Sequence, residues 1–406
     1  MNINRARKID KYIGPVLGIL LLCLFFVVKL FRPIPKKKAS NQVKEVIFIK
    51  FFGFGSILLA APSIRLIKSH YTNSNISILT TTGNSQLCQM LQLFDQIYVT
   101  DIDSFQKFII SLSKSYIKIL RTPPDIVVDL EFLTNFSAIV TLSLRLLCNI
   151  SGSYGFNATK RWRNSIYDKA VVFDHSLHIV NSFKKIYLSI INIKTGGGPA
   201  LSFSKEKKSL LSHQSSDAMK YIYQNNPGFR ECTYLIAVNI NAGNLCLLRR
   251  WPKSHFRELI DILTMNPRIG IILIGGPGEG AYVNGLMSEI GEHSRIVDIS
   301  EKTSLESLTG LFVQCNLLIS NDSGPLHLAF VLGTPSISLF GPETPRLYAP
   351  VGVEHRHLYS EIWCSPCINI YNSKMTNCFN NECMRSISPR EVAKMVEFNY
   401  VRHAST

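Results

Sequence analysis

The sequence predicts an α/β protein of two doubly wound, Rossmann-like domains behind an N-terminal apolar helix. Three observations predict it. From Lys44 onward, short apolar runs alternate with amphipathic segments, the pattern of a parallel sheet covered by helices. A stretch rich in Gly, Ser, Lys, Asn and Pro, residues 195–230, interrupts this alternation, which restarts at Tyr234. The segment from Ser320 to Pro345, S-N-D-S-G-P-L-H-L-A-F-V-L-G-T-P-S-I-S-L-F-G-P-E-T-P, delivers Asn321, Asp322, Ser323 and Gly324 to the end of an apolar strand and then starts a helix. In open α/β sheets ligands bind outside the carboxyl ends of the strands. Free N–H groups at a helix start attract anions. The segment therefore reads as a site for an anionic, nucleotide-linked ligand, with helix capping by Asp322 or Ser323 as the plainer alternative.

Residues 1–43 read as anchor and linker. Tyr12 to Val28 carries no charge, and with its extension to Phe31 it reaches the roughly 20 apolar residues that span a bilayer. Arg5, Arg7, Lys8 and Lys11 precede it; Lys29, Arg32 and Lys36 to Lys38 follow. No small-residue cleavage site follows, so an uncleaved anchor is expected, spanning or lying in one leaflet. The stronger basic cluster lies after the segment, which puts the body on the cytoplasmic side of the membrane.

The first domain is expected over residues 44–228. Its strands are predicted at 43–49, 76–80, 96–99 and 126–130. Its helices are predicted at 56–69, where Ile57, Leu58, Ala61, Ile64 and Ile67 share a face, and at 84–93, 105–121 and 135–148. A surface helix is expected at 204–225. The second domain, 229–388, opens with strand 234–239, the loop Ile240-Asn241-Ala242-Gly243-Asn244 and helix 253–263. Strands at 269–274, 315–320 and 335–340 follow. A final helix and tail, 389–406, has the start signal Ser388, Pro389, Glu391.

These segments resemble a known family. D-S-G-x-x-H-L-A followed by G-x-P and F-G-P-x-x-P is similar to glycosyltransferase family 9, the lipopolysaccharide heptosyltransferases. Arg249-Arg250-Trp251-Pro252 looks like its basic-x-Trp-Pro element, Asp298 with Lys302-Thr303-Ser304-Leu305 its D-x-x-x-K-T-S-L step, and Lys50 to Pro62 its first strand–loop–helix. The resemblance implies the GT-B architecture, two facing Rossmann-like domains. It implies metal-independent transfer of a sugar, such as a heptose, from a nucleotide-diphosphate sugar of the ADP-heptose kind to a lipid-linked glycan. The runner-up readings are a GT-B nucleotide-sugar epimerase and a non-catalytic nucleotide-sugar- or glycan-binding protein.

Such transfer needs cations or N–H donors for the leaving diphosphate, a nucleoside pocket and a base for the acceptor hydroxyl. Arg249, then Arg250, are expected on the diphosphate, with Ser323 and the amides of Gly324, Leu326 and His327 completing the cradle. Asn241 belongs to the preceding loop on the donor side. The resemblance points Asp322 at sugar hydroxyls and His327 at phosphate; Gly275, Gly276 and Thr303 would line the base pocket. The family's loop usually reads Gly-Asp, and that Asp is its proposed base. Here the pair is Gly55-Ser56, so three readings stay open: Glu131 or Asp129 acts as base, Ser56 only positions the acceptor, or the protein binds without turnover. Gly53 and Gly55 keep backbone near the acceptor, and Lys50 would meet an acceptor phosphate or the donor. Lys160-Arg161-Trp162-Arg163 reads as a solvated loop or a contact to an anionic headgroup.

Net charge is +16 and apolar residues make 46% of the chain, which suits anionic partners. No nucleic-acid motif is present, so the membrane surface and a nucleotide are the expected partners. Four of the 10 cysteines cluster as Cys364-x-x-Cys367 and Cys378-x-x-x-x-Cys383. A structural zinc or iron site, four reduced thiols, and two disulfides in an exported body are the open alternatives. No cofactor is expected for catalysis; the D-x-D-like Asp101-Ile102-Asp103 lies in the N-terminal half.

Overall fold

A computed structural model describes residues 3–31, 38–132, 134–157, 161–193, 199–243, 246–370, 372 and 374–404. Arg32, Lys36, Lys37, Lys160 and Asn244, named above, lie outside the described residues. The chain divides into two compact units. Unit 1 runs to Phe203 with a short return at 370–373; unit 2 is the remainder.

In unit 1, helix α1 (Ile3–Phe31) precedes β1 (Glu45–Ile49), α2 (Phe54–His70), β2 (Asn75–Thr81), α3 (Thr82–Leu91), β3 (Gln96–Thr100), α4 (Phe105–Arg121) and β4 (Ile126–Asp129). There follow α5 (Asn135–Leu147), β5 (Gly152–Asn157), α6 (Arg161–Asn164), β6 (Lys169–Val172) and α7 (Ile179–Ile190). The six strands pair in parallel in the order β3-β2-β1-β4-β5-β6. Four of the strands are almost wholly buried on both faces, which explains why they read as continuous apolar runs. Ile47, Ile49, Val127, Val140 and Leu144 form much of one core layer.

Unit 2 opens with α8 (Ser204–Leu211) and α9 (Asp217–Asn225). Then come β7 (Tyr234–Asn239), α10 (Lys253–Thr264), β8 (Ile269–Ile274), α11 (Gly280–Ile290), β9 (Ile296–Asp298), α12 (Leu305–Gln314), β10 (Leu317–Asn321) and α13 (Gly324–Leu332). It closes with β11 (Ser336–Phe340), α14 (Pro345–Tyr348), β12 (His355–Tyr359), α15 (Glu382–Arg385) and α16 (Pro389–Ala404). The strands run in parallel in the order β12-β11-β10-β7-β8-β9. Trp251, fully buried, anchors the core beside Phe256, and its indole N–H donates to the Ile387 carbonyl (3.0 Å).

Several expected boundaries move. The expected surface helix at 204–225 is two helices, α8 and α9, with a break at residues 212–216 where Ser215 N donates to Glu306 O (3.0 Å) instead of continuing the ladder. Both helices pack on α12 or α13 and so belong to unit 2. Helix α3 stops at Leu91 because Gln92 turns into the left-handed region (φ 51°). Strands β5, β6, β9 and β12 carried no clear signal; β6 and β12 are edge strands whose burial is incomplete.

Each sheet reverses its winding direction once, between β1 and β4 in unit 1 and between β7 and β10 in unit 2. Such a switch point opens a crevice at the carboxyl ends of the two strands.

Candidate functional site

The unit 2 switch point gathers the donor-side residues that the sequence singled out. Asn239 ends β7, and its Nδ2 donates to Ser320 Oγ (3.1 Å) and Ser323 Oγ (2.7 Å). Asn321 ends β10 and staples the loops: its Oδ1 accepts from Trp251 N (3.0 Å), and its Nδ2 donates to the carbonyls of Ile240 and Asn241 (3.0 and 3.2 Å). The Trp-Pro pair is thereby fixed in the core, and Arg249 and Arg250 just before it are aimed by backbone rather than by chance.

Arg249 Nη1 donates to Asp322 Oδ2 (3.0 Å) and its Nη2 to Ala242 O (2.6 Å). Burial pushes the Asp322 carboxyl up, but Arg249, Lys374 and His327 outweigh it and hold the group below the usual carboxylate range. Arg250 stacks its guanidinium on the Tyr282 ring (4.1 Å) and donates from Nη2 to Asn241 Oδ1 (3.2 Å). Two buried polar atoms here, Arg250 Nε and Asn241 Nδ2, have no hydrogen-bond partner. Buried donors are almost always satisfied, so these two stand ready for an added acceptor.

Ser323 is the N-cap of α13 but makes no side-chain capping bond, because its hydroxyl is turned to Asn239 and Ser320. Asp322 is taken by Arg249. Helix capping therefore does not account for the Asp-Ser pair, and the start of α13, with Gly324 and the buried His327 in its first turn, keeps its anion-attracting end. Gly275 approaches Asn241 closely, since a Cβ there would lie 3.1 Å from Asn241 Nδ2. Gly276 donates its N–H to Glu279 (2.8 Å), and Glu301 N bonds the Gly275 carbonyl (2.9 Å), which brings the loop leading to Thr303 to the same edge.

The sequence reading missed a second charged pair. Glu343, in the loop after β11, pairs with Lys374 (2.9 Å), and Lys374 lies over the Tyr348 ring (4.2 Å). Burial pushes the Glu343 carboxyl up, only partly countered by Lys374. The signal was Glu343 within F-G-P-E-T-P; its partner lies far along the chain.

The unit 1 switch point differs. Lys50 was expected to meet a phosphate. Instead the residue is 1% exposed, its ammonium bonded to Glu131 Oε2 (2.9 Å) and covered by the Phe132 ring (5.2 Å). Glu131 also accepts from the amides of Phe51 and Phe52 (2.9 and 2.8 Å). Asp129 is wholly buried and accepts from Tyr167 (2.6 Å), Ser137 (2.9 Å), Glu131 N (2.9 Å) and Arg163 (3.3 Å). Burial pulls the Arg163 guanidinium down, but Tyr167 and Asp129 beside it more than reverse this. Arg163 is thus neither in a solvated loop nor open to a headgroup. Gly53 caps α2 at φ 89°, a conformation that favours glycine, with Gly55 buried and Ser56 half-buried in its first turn.

Cys364, Cys367, Cys378 and Cys383 are free thiols. Among the described residues no three His, Cys, Asp or Glu side chains are gathered as a metal site. Cys383 packs under Gly341, and Cys378 Sγ accepts from Asn381 N (3.3 Å).

The sequence model of glycosyltransferase family 9 (heptosyltransferase) matches residues 125–376. The chain belongs to this family. Lipooligosaccharide heptosyltransferase 2 of Campylobacter jejuni is 26% identical over 152 residues, 37% of this chain and 46% of that protein. The match thus spans about half the length of that relative. Lipopolysaccharide heptosyltransferase 1 of Campylobacter coli is 24% identical over 303 residues, 73% of this chain and 84% of that protein. In structure, the Escherichia coli ADP-heptose lipopolysaccharide heptosyltransferase II superposes with a TM-score of 0.64 at 15% identity, covering 89% of this chain and 99% of that one. At that identity the likeness speaks for the fold, which is the expected GT-B class.

Proposed function

We propose that this family 9 chain transfers a heptose from a nucleoside-diphosphate donor, ADP-heptose as in the name of its structural relative, to a lipopolysaccharide-type, lipid-linked glycan. The observation that carries the reading is the unit 2 switch point. There, Arg249, buried unpartnered donors on Arg250 and Asn241, and the open start of α13 converge. In the transfer, the acceptor hydroxyl attacks the anomeric carbon, and the bond to the diphosphate oxygen breaks with its electron pair. Arg249 and the amides of Gly324, Leu326 and His327 take up the charge that develops on that oxygen. Pro325 has no N–H to offer. Asp322 aims Arg249 through Oδ2 and offers Oδ1 to a donor hydroxyl. Gly275, Gly276 and Thr303 border the nucleoside.

The acceptor is assigned to unit 1, at the Lys50–Ser56 loop. The Glu131 carboxylate is taken up by Lys50 and the amides of Phe51 and Phe52, so Glu131 is read as the clamp of that loop and Asp129 as an internal anchor. Ser56 orients the hydroxyl, and the proton leaves without a dedicated carboxylate. The enzyme works at the cytoplasmic face of the inner membrane, held there by α1, whose stretch Ile9–Phe31 is long and apolar enough to cross a bilayer. No metal is needed for the step as written.

The test is ADP release from ADP-heptose by the purified full-length chain, with and without a lipid-linked acceptor, followed by product analysis. Acceptor-dependent release with a lengthened glycan is expected. Interconversion of the free donor would indicate an epimerase. Tight donor binding with no product across acceptors would indicate a binding protein.

A further inference from the structure

Helix α1 does not stand away from unit 1. One stripe of it, Asp10, Gly14, Gly18, Leu21 and Phe25, faces the protein at the three- and four-residue spacing of a helix face. Asp10 caps α5: its carboxylate accepts from Asn135 N (2.9 Å) and Phe136 N (2.7 Å), while its carbonyl accepts from Asn135 Nδ2 (2.6 Å). Gly14 and Gly18 permit close approach. A Cβ at Gly14 would lie 2.6 Å from Asn135 Cβ, and one at Gly18 would lie 2.3 Å from the Trp162 ring. At the far end, Arg145 of α5 stacks on the Phe25 ring (4.8 Å), and Phe25 is buried with Ala138 and Leu142. The fixed points at Asp10 and Phe25 are 15 residues apart, about 22 Å along the helix. A helix clamped over that length against unit 1 has only its other side left for lipid.

The opposite side of α1 is apolar and bare: Val16, Leu20, Val27 and Phe31 are 60%, 64%, 52% and 84% exposed. Helix α4 packs on the same α5, through the Phe108–Phe136 rings (5.3 Å) and Tyr116 to Ser143. It too leaves apolar side chains in the open: Phe105, Ile110 and Ile117 are 65%, 55% and 55% exposed. Exposed apolar area on this scale marks an interaction surface. Its charge points to the partner. Lys11, Lys29, Lys114, Lys118 and Arg121 are exposed on these two helices, whereas the one described carboxylate, Asp10, is turned inward to cap α5. An apolar stripe bordered by cations suits a bilayer of anionic lipid.

We infer that α1 lies in the membrane plane rather than across it, and that α1 and α4 together form a docking face for anionic phospholipid. This rests on the membrane association proposed above and deepens it from an anchor to an oriented seat for unit 1.

The test uses the full-length chain with a protease-cleavable N-terminal tag, in sealed inside-out inner-membrane vesicles. It also uses flotation of the purified chain with phosphatidylglycerol-containing or purely phosphatidylcholine vesicles. The expected results are tag removal by external protease without detergent, and flotation with the anionic vesicles. Replacing Ile110 and Ile117 together by Glu, both on an exposed face, should weaken flotation by about tenfold and leave the melting temperature and ADP binding unchanged. A tag protected until detergent is added would mean that α1 spans; membrane association would stand and the in-plane inference would fall. Undiminished flotation of the double variant would remove α4 from the face. Absence of any flotation would refute the membrane association itself. A dimer that dissociates on the same substitutions, without flotation, would show that a second copy covers the face.

Discussion

The two switch points are built alike and used differently. In each, the central strand pair ends in a loop carrying a cation and a carboxylate: Lys50 and Glu131 in unit 1, Arg249 and Asp322 in unit 2. In unit 1 the Lys50–Glu131 and Arg163–Asp129 side chains are 0–2% exposed and bonded to one another, with Arg163 Nε the buried donor left over. In unit 2 the Arg249 side chain keeps 13% exposure, two neighbouring buried donors lack partners, and a helix start lacks a cap. A strand-end ion pair is therefore no sign of a binding site by itself; a cation that stays partly open beside an uncapped helix start is a better one.

Four substitutions break or sharpen this contrast. The largest effect is expected from Arg249→Ala, which removes the cation proposed to face the leaving group. Donor turnover should fall on the order of 10²–10³-fold in kcat/KM, with a lowered melting temperature because Asp322 loses its partner; the loss of turnover is read per folded protein. Next, Asp129→Ala strands Arg163 in the interior, and loss of one partner of a buried pair costs about 3–5 kcal/mol. Chemical denaturation should report that loss, while the turnover of the remaining folded protein changes far less than with Arg249→Ala.

His355 gives a pH handle on unit 2. Burial lowers its pKa to about 4 from 6.5. The unfolded chain takes up a proton near 6.5 and the folded chain only near 4, so stability is full above pH 6.5 and drops as the pH falls between those values. The whole loss is about 3 kcal/mol, readable as a declining denaturation midpoint. His355→Gln should flatten this pH dependence. The smallest effect is Gly53→Ala. The left-handed turn and the 2.9 Å approach of the new Cβ to Ser56 Oγ should cost roughly 1–3 kcal/mol, lowering the denaturation midpoint and leaving ADP affinity unchanged.

Much of the fold was legible because both faces of each central strand are buried, so strands read as unbroken apolar runs between amphipathic helices. The unit 2 site was legible because its residues are local in sequence: Asp322, Ser323, Gly324 and His327 fall within six residues, and Trp251 announces the pair before it. The unit 1 ion pairs were not. Lys50 and Glu131, and Asp129 and Arg163, meet across 81 and 34 residues of chain, and no local pattern says whether a strand-end charge faces water or a partner. The same distance hid Glu343 and Lys374. For α1, the Gly14-x-x-x-Gly18 spacing was a readable sign of close helix packing, but an uncharged run near a terminus reads first as an anchor.

The central claim is that the donor's diphosphate is held by Arg249 and the start of α13. Calorimetric titration of ADP into the full-length chain tests it most directly, with wild type, Arg249→Ala and Ser56→Ala compared. The account predicts at least a tenfold weaker affinity, about 1.4 kcal/mol, for Arg249→Ala and wild-type affinity for Ser56→Ala. Equal affinity in wild type and Arg249→Ala would contradict it.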